Sequence, residues 1–266
     1  MDKSGLHPDE LTRDAIYQGR LTLVQPRHGY RFSIDALLLA DFARVKPGWH
    51  VVDLGAGVGV MALALAMRMG QGRVTAVEVQ PRLAECARMN AEANPSEVRV
   101  DVLETDWTGL DRTRIGGPAD YVVCNPPYRP LGAGRVNLDG EEAAARHEFL
   151  GGASGAAKAA ARILDPRGGL ALIYPAARMA GLFEDLLAAG FEPKRLRMVH
   201  SRAGERATLV LLDARLAAGR ELHVEPPLHL YEAGQNYTEE AQAILAGESK
   251  GIIGGEMPDQ AVNVRP

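Results

Sequence analysis

From residue 50 onward, short β-branched runs alternate with longer stretches rich in alanine and leucine, the signature of strands joined by helices. His50 to Leu54 predicts a first strand, Val60 to Met69 an almost wholly apolar helix ended at Gly70, and Arg73 to Val79 a second strand. Pro81 suits a first helical turn and opens a helix to about Ala93. Val98 to Leu103 and Asp120 to Cys124 alternate as a third and a fourth strand. Farther on, Ala143 to Leu164 reads as helix with a break at Gly151-Gly152, Gly169 to Tyr174 as a fifth strand, and Ala177 to Ala189 as a helix stopped by Gly190. Leu196 to His200 and Ala207 to Leu212 are close enough in sequence for a hairpin. The whole predicts an α/β fold with a doubly wound, mostly parallel seven-stranded sheet and a terminal antiparallel hairpin that leaves one antiparallel strand at the sheet's end.

Segments outside this alternation divide the chain. Residues 1–48 form an N-terminal segment, 49–220 the sheet domain, 221–247 an extension packed on it, and 248–266 a glycine-rich, charged tail expected to be disordered. In the extension an irregular strand passes through Leu222, Val224, Leu228 and Leu230, and Thr238 caps a short helix to about Leu245.

Composition narrows the class. Hydrophobic residues make up 46% of the 266 positions, enough for a sizeable core. No apolar run approaches the ~20 residues of a membrane helix, and the polar start Met1-Asp2-Lys3-Ser4-Gly5 lacks a signal peptide's core, so a cytoplasmic protein with no membrane partner is expected. Cys86 and Cys124 show neither CxxC nor Cys/His spacing, which predicts two reduced, buried thiols and no metal. The net charge of -4 is unevenly spread: residues 221–266 carry two basic and eight acidic side chains, leaving the rest slightly basic. Two acid-free stretches stand out, one holding Arg20, Arg27, His28 and Arg31, the other Lys194, Arg195, Arg197, His200 and Arg202. Each is a candidate phosphate-contacting patch or an ordinary solvated face.

Asp53-Leu54-Gly55-Ala56-Gly57-Val58-Gly59 ends a buried strand and opens a helix. Three glycines permit a tight turn and close approach of a ligand to backbone. The GxGxG spacing, with an acid two residues upstream, resembles the first motif of S-adenosylmethionine methyltransferases more than the dinucleotide GxGxxG. Glu78 closes the second strand, where a carboxylate accepts hydrogen bonds from both hydroxyls of a free ribose. Asp106, in Glu104-Thr105-Asp106-Trp107, follows the third strand where related enzymes place the acid that bonds the cofactor's adenine amino group, with Trp107 either flanking that ring or packed in the core.

Asn125-Pro126-Pro127-Tyr128 follows the apolar strand Tyr121 to Cys124, at the carboxyl end where α/β sites lie. An amino group conjugated to a ring is a poor nucleophile because its lone pair is delocalised. The Asn125 side-chain carbonyl and the Pro126 backbone carbonyl can each accept one amine hydrogen and aim the lone pair, while Pro126 and Pro127 stiffen the loop. Stacking of Tyr128 on an extruded base, worth roughly 1–3 kcal/mol, offsets much of the cost of flipping it out. Cys124 precedes Asn125 and reads as a buried strand residue, not a nucleophile.

Together these residues resemble the N6-adenine and glutamine-N5 methyltransferases that share the NPPY motif. Gly29-Tyr30-Arg31-Phe32-Ser33-Ile34-Asp35-Ala36-Leu37-Leu38-Leu39-Ala40, and Ala145-Arg146-His147-Glu148 after the NPPY loop, are similar to segments of bacterial valine-tRNA adenine-N6 methyltransferases. The resemblance spans about Gln18 to Leu230. It implies a Rossmann-like fold, S-adenosylmethionine as cofactor, and methylation of the adenosine just 3′ of the anticodon of a tRNA. By the same analogy Arg31 and Asp35 contact the cofactor, joining Asp53, Gly55, Gly57, Gly59, Glu78, Asp106 and Asn125; on the RNA side Tyr128 is joined by Arg146 and, from the second basic stretch, by Arg195 and Arg202. Val58 stands where such loops commonly carry threonine. The alternatives are N5-methylation of a glutamine in a translation release factor, or of an amino group on rRNA or DNA; the leader of about 48 residues, shorter than the helical domain of the glutamine enzymes, favours nucleic acid.

Overall fold

The computed structural model describes residues 7–29, 31–127 and 152–249. Strands β1 (Leu11–Ile16) and β2 (Leu21–Pro26) form an antiparallel hairpin, followed by helix α1 (Ile34–Phe42). The sheet then builds as β3 (His50–Leu54), α2 (Val60–Met69), β4 (Arg73–Glu78), α3 (Pro81–Ala93), β5 (Arg99–Glu104) and β6 (Ala119–Cys124). After the NPPY region come α4 (Ala153–Ile163), β7 (Leu164–Pro175), α5 (Met179–Ala188), β8 (Phe191–His200) and β9 (Ala207–Leu216). Two-residue strands β10 (His223–Val224) and β11 (Leu228–His229) precede α6 (Glu239–Ala246).

The large sheet runs β10-β8-β9-β7-β6-β3-β4-β5, with β11 also on β8. Pairs among β3, β4, β5, β6 and β7 are parallel, and β9 is antiparallel to both its neighbours. The expected Rossmann-like, mostly parallel sheet is thus present, and two details differ. The antiparallel strand β9 is inserted between β7 and β8 instead of lying at the sheet's end. The sheet also has nine strands, because the extension lays β10 and β11 parallel along β8 and so pairs an otherwise open edge.

Alternation along each strand supplies two cores. Val51, Tyr121, Val123, Ala171 and Ile173 face α1 and α2, whereas Val52, Leu54, Val122, Leu170 and Leu172 face α4 and α5. Leu228, Leu230, Ala241 and Ile244 join the first core, so the extension docks by apolar burial as well as strand pairing. Gly169 makes room for one large ring: a β-carbon there would lie 2.3 Å from Tyr121 Cε2. Tyr121 is buried, donates to Asp213 and lies under the Arg215 guanidinium.

Register positions the site. Leu54 pairs with Val77 on one side and Cys124 on the other. Gly55, Glu78 and Asn125 are the next residues of three adjacent strands, about 5 Å from one strand to the next.

Candidate active site

The glycine loop needs its glycines. Gly55, Gly57 and Gly59 have φ of 74°, 57° and 82°, in the left-handed region open to glycine. Close approach adds a second reason, since a β-carbon on Gly55 would sit 2.9 Å from Trp107 Cζ3, and one on Gly59 3.2 Å from Ala87 Cβ. Backbone bonds from Gly55 and Ala56 to the Val77 carbonyl tie the loop to β4.

Glu78 is buried, with its two oxygens accepting from the Gly57 amide at 2.8 Å and the Gln80 amide at 2.9 Å. One carboxylate thereby joins the end of β4 to the loop, and its remaining lone pairs are available to paired hydroxyls. Asp53, fully buried, has no hydrogen-bond partner for either oxygen. Burial first, and the neighbouring Glu78 charge second, push its carboxyl up to about 8, against a weaker opposing pull from the nearby Ala62 amide. Asn125 likewise holds a buried Oδ1 without a partner, and Pro126 behind it is buried. Unpartnered buried acceptors are costly, so two of them on neighbouring strand ends mark a place built to receive donors.

Asp106 is exposed and caps the turn Trp107–Gly109 by accepting from the Thr108 amide at 2.8 Å. Trp107 packs on the second core, and its ring lies against Gly55. Cys124 is fully buried, and burial followed by the Asp53 charge holds its thiol well above the usual range, as suits an inert strand residue. Among the described residues no cluster of three or more metal-ligating side chains occurs, and no helix is long and apolar enough to cross a membrane. Tyr128 and Arg146 lie outside the described residues.

Two orphaned buried acceptors beside a buried carboxylate ask for a ligand rich in hydrogen-bond donors, as an ammonium and the hydroxyls of a ribose are. Known proteins agree. Residues 33–177, more than half the chain, match the family model described as the methyltransferase small domain. The chain belongs to that family. A member from Aeromonas hydrophila, a tRNA1(Val) (adenine(37)-N6)-methyltransferase, is 33% identical over 218 residues, covering 80% of this chain and 87% of that protein. Its namesake from Porphyromonas gingivalis is 34% identical over 200 residues, 71% and 73% of the two chains. Among solved structures, one described as a predicted O-methyltransferase from Agrobacterium tumefaciens has a TM-score of 0.61 at 28% identity, covering 80% of this chain and 96% of that one. The TYW2 protein of M. jannaschii in complex with AdoMet has a TM-score of 0.52 at 17% identity, covering 79% and 87%, and shares the fold alone.

Within this methyltransferase the basic stretches play a different part from the one expected. Arg195 is buried at 3% exposure, ion-paired with Glu225 at 3.2 Å, its guanidinium 3.7 Å from the Phe42 ring centroid and donating to the Phe42 carbonyl. It is therefore no surface phosphate contact. Its neighbours are similarly engaged, Lys194 with the Gly219 carbonyl and Arg197 with the Pro226 carbonyl and Glu240. Two acids of the extension, Glu225 and Glu240, thus answer two arginines of β8. Arg202 remains partly exposed, donating to the Gly234 carbonyl and lying over Tyr231. In the N-terminal stretch, Arg20 bonds the Tyr17 carbonyl of the hairpin turn and the Ala246 carbonyl of α6, and Arg27 the carbonyls of Asp9 and Leu11. Arg31 bonds Thr12 and Asp14 of β1, so the structure binds it to the hairpin, while Asp35 opens α1.

Sequence reasoning passed over Val79, an apolar residue 45% exposed directly after Glu78. Its signal was available: a hydrophobe following a strand-end acid, beyond the last paired position.

Proposed function

We propose that this chain transfers the methyl group of S-adenosylmethionine to the exocyclic N6 of an adenine in tRNA, the adenosine immediately 3′ of the anticodon, in the cytoplasm. The observation that carries the reading is the pair of buried, unpartnered acceptors, Asp53 and Asn125, at adjacent strand ends beside the glycine loop. The names of the tRNA1(Val) relatives, at 33–34% identity, support adenine and tRNA as the acceptor.

The bound cofactor supplies an electrophilic methyl on a sulfonium. In this account Asp53 accepts from the cofactor's ammonium, Glu78 from its ribose hydroxyls, and Val79 and Trp107 form apolar walls for its adenine, with Asp106 at the rim. Asn125 Oδ1 and the Pro126 carbonyl take the two hydrogens of the target amine. That geometry turns the nitrogen lone pair toward the methyl carbon and costs no reorganisation during transfer. The nitrogen that Asn125 and Pro126 hold would receive the methyl group of bound S-adenosylmethionine, which would leave as the thioether, while the amine would pass one proton to solvent. Tyr128 stacks on the flipped base, and Arg146 and Arg202 contact phosphates.

Asn125→Ala tests the assignment. The variant is expected to bind S-adenosylmethionine within about twofold of the wild type while turnover on tRNA falls at least 100-fold, as for removal of a group that acts in the transition state. Unchanged turnover removes Asn125 from the mechanism.

A further inference from the structure

Asn90 in helix α3 and Asn94 at the cap just past its end are four residues apart and face the free edge of β2. Asn94 accepts from the Thr22 amide at 2.9 Å and donates to the Thr22 carbonyl at 2.7 Å. Asn90 repeats the pattern on Val24, accepting from its amide at 2.6 Å and donating to its carbonyl at 2.8 Å. The match is geometric. Four residues of helix rise about 6.0 Å, and two residues of strand advance about 6.8 Å, so two carboxamides can stand in for an adjacent β-strand. The edge of the hairpin is thereby satisfied without any strand beside it.

Asn90 does one thing that Asn94 does not. Its Nδ2 also donates, at 2.9 Å, to the carbonyl of Val58, the residue between Gly57 and Gly59 of the cofactor loop. The side chain is fully buried, and both of its amide hydrogens and its oxygen are used. Val58 itself packs against Leu83 and Cys86, with Leu11 of β1 and Phe32 against the same cluster, so hairpin, α3 and loop meet at this point. The Val58 peptide has to be held because glycines on both sides leave it few conformational restraints.

We propose that Asn90 is a positioning residue for the cofactor loop: it couples docking of the N-terminal hairpin to the conformation of Gly55–Gly59 through the Val58 carbonyl, and so sets cofactor affinity without touching the cofactor. Asn94 makes the same attachment to the hairpin without the link to the loop, and serves as its built-in control. The consequence requires no methyl acceptor, so it stands or falls separately from the tRNA assignment.

The test compares full-length wild type, Asn90→Ala and Asn94→Ala by calorimetric titration with S-adenosylmethionine, at a temperature where thermal melts show each fully folded. Both variants are expected to melt at lower temperature than the wild type. Cofactor Kd should rise about tenfold in Asn90→Ala, the worth of one neutral hydrogen bond, and stay within about twofold in Asn94→Ala. In the free proteins, amide exchange across residues 55–60 should accelerate only in the Asn90 variant, and across 21–26 in both. Equal Kd changes in the two variants, or an unchanged Kd in Asn90→Ala, overturn the proposal. If Asn90→Ala does not fold, Asn90→Asp takes its place: it keeps the acceptor for the Val24 amide but turns an oxygen toward the Val24 and Val58 carbonyls. The same tenfold loss of affinity is expected of it, and wild-type affinity overturns the proposal.

Discussion

Asp53→Asn separates stability from cofactor binding in a way that can be worked from the site. The carboxyl lies fully buried without a hydrogen-bond partner, and burial with the Glu78 charge lifts it from 3.8 to about 8. Because the folded value is the higher one, the native state binds the proton more tightly than the unfolded chain. Stability is then greatest below about pH 4 and declines as pH rises toward 8, at up to about 1.4 kcal/mol per pH unit. Between pH 5 and pH 7 the Asp53 share of that loss is on the order of 3 kcal/mol. The amide of Asp53→Asn cannot ionise, so urea unfolding at pH 5, 6, 7 and 8 should show the stability of the variant gaining on that of the wild type by that amount. Arrival of a cationic ammonium favours the carboxylate, so titration of the wild type with S-adenosylmethionine at pH 7 should release up to about one proton, read from the dependence of binding heat on buffer ionisation enthalpy. The variant should bind more weakly and release none of it. Parallel pH profiles for the two proteins, together with equal proton release, would refute the reasoning.

Other consequences concern the arginines and the glycine loop. Arg195→Met leaves Glu225 without its partner and should lower unfolding free energy by about 3–5 kcal/mol while the folded variant keeps wild-type affinity for tRNA; Arg202→Glu should do the reverse, melting near the wild type but binding tRNA more weakly at low salt. A filter-binding titration set beside thermal melts decides both. Gly55→Ala places a β-carbon against Trp107 at φ 74°; it should cost roughly 1–3 kcal/mol of stability and weaken S-adenosylmethionine binding, and an unaffected Kd would mean that the loop does not shape the cofactor site.

The parts of the fold legible in the sequence were those where local pattern and tertiary role coincide. His50 to Leu54 and Tyr121 to Cys124 are buried on both faces and built around Val51-Val52 and Val122-Val123, and Pro81 and Thr238 mark helix starts by local chemistry that the structure retains. The hairpin of β1 and β2 was not legible. Leu11-Thr12-Arg13-Asp14 carries too little apolar alternation, and its turn puts Tyr17 and Gln18 at positive φ, 51° and 57°, ahead of Gly19, positions that those residue types do not signal. The basic stretches misled for a physical reason: acid-free sequence shows that a charge lacks a local partner, not that it lacks one, and the partners of Arg195 and Arg197 lie 30 and 43 residues downstream at Glu225 and Glu240. Site residues at strand ends were visible because βαβ topology gathers consecutive carboxyl ends along one edge. The hold of Asn90 on Val58 was not, since it depends on which helix face meets the hairpin.

The acceptor atom for the methyl group is N6 of adenine under the proposed function. Incubation of the purified protein with isotopically methyl-labelled S-adenosylmethionine and either bulk tRNA or a translation release factor, followed by mass spectrometry of the digests, addresses it directly. Labelled N6-methyladenosine is expected from the tRNA sample, mapping to the nucleotide 3′ of the anticodon and absent with Asn125→Ala. Label confined to a release-factor glutamine, with none in adenosine, would contradict it.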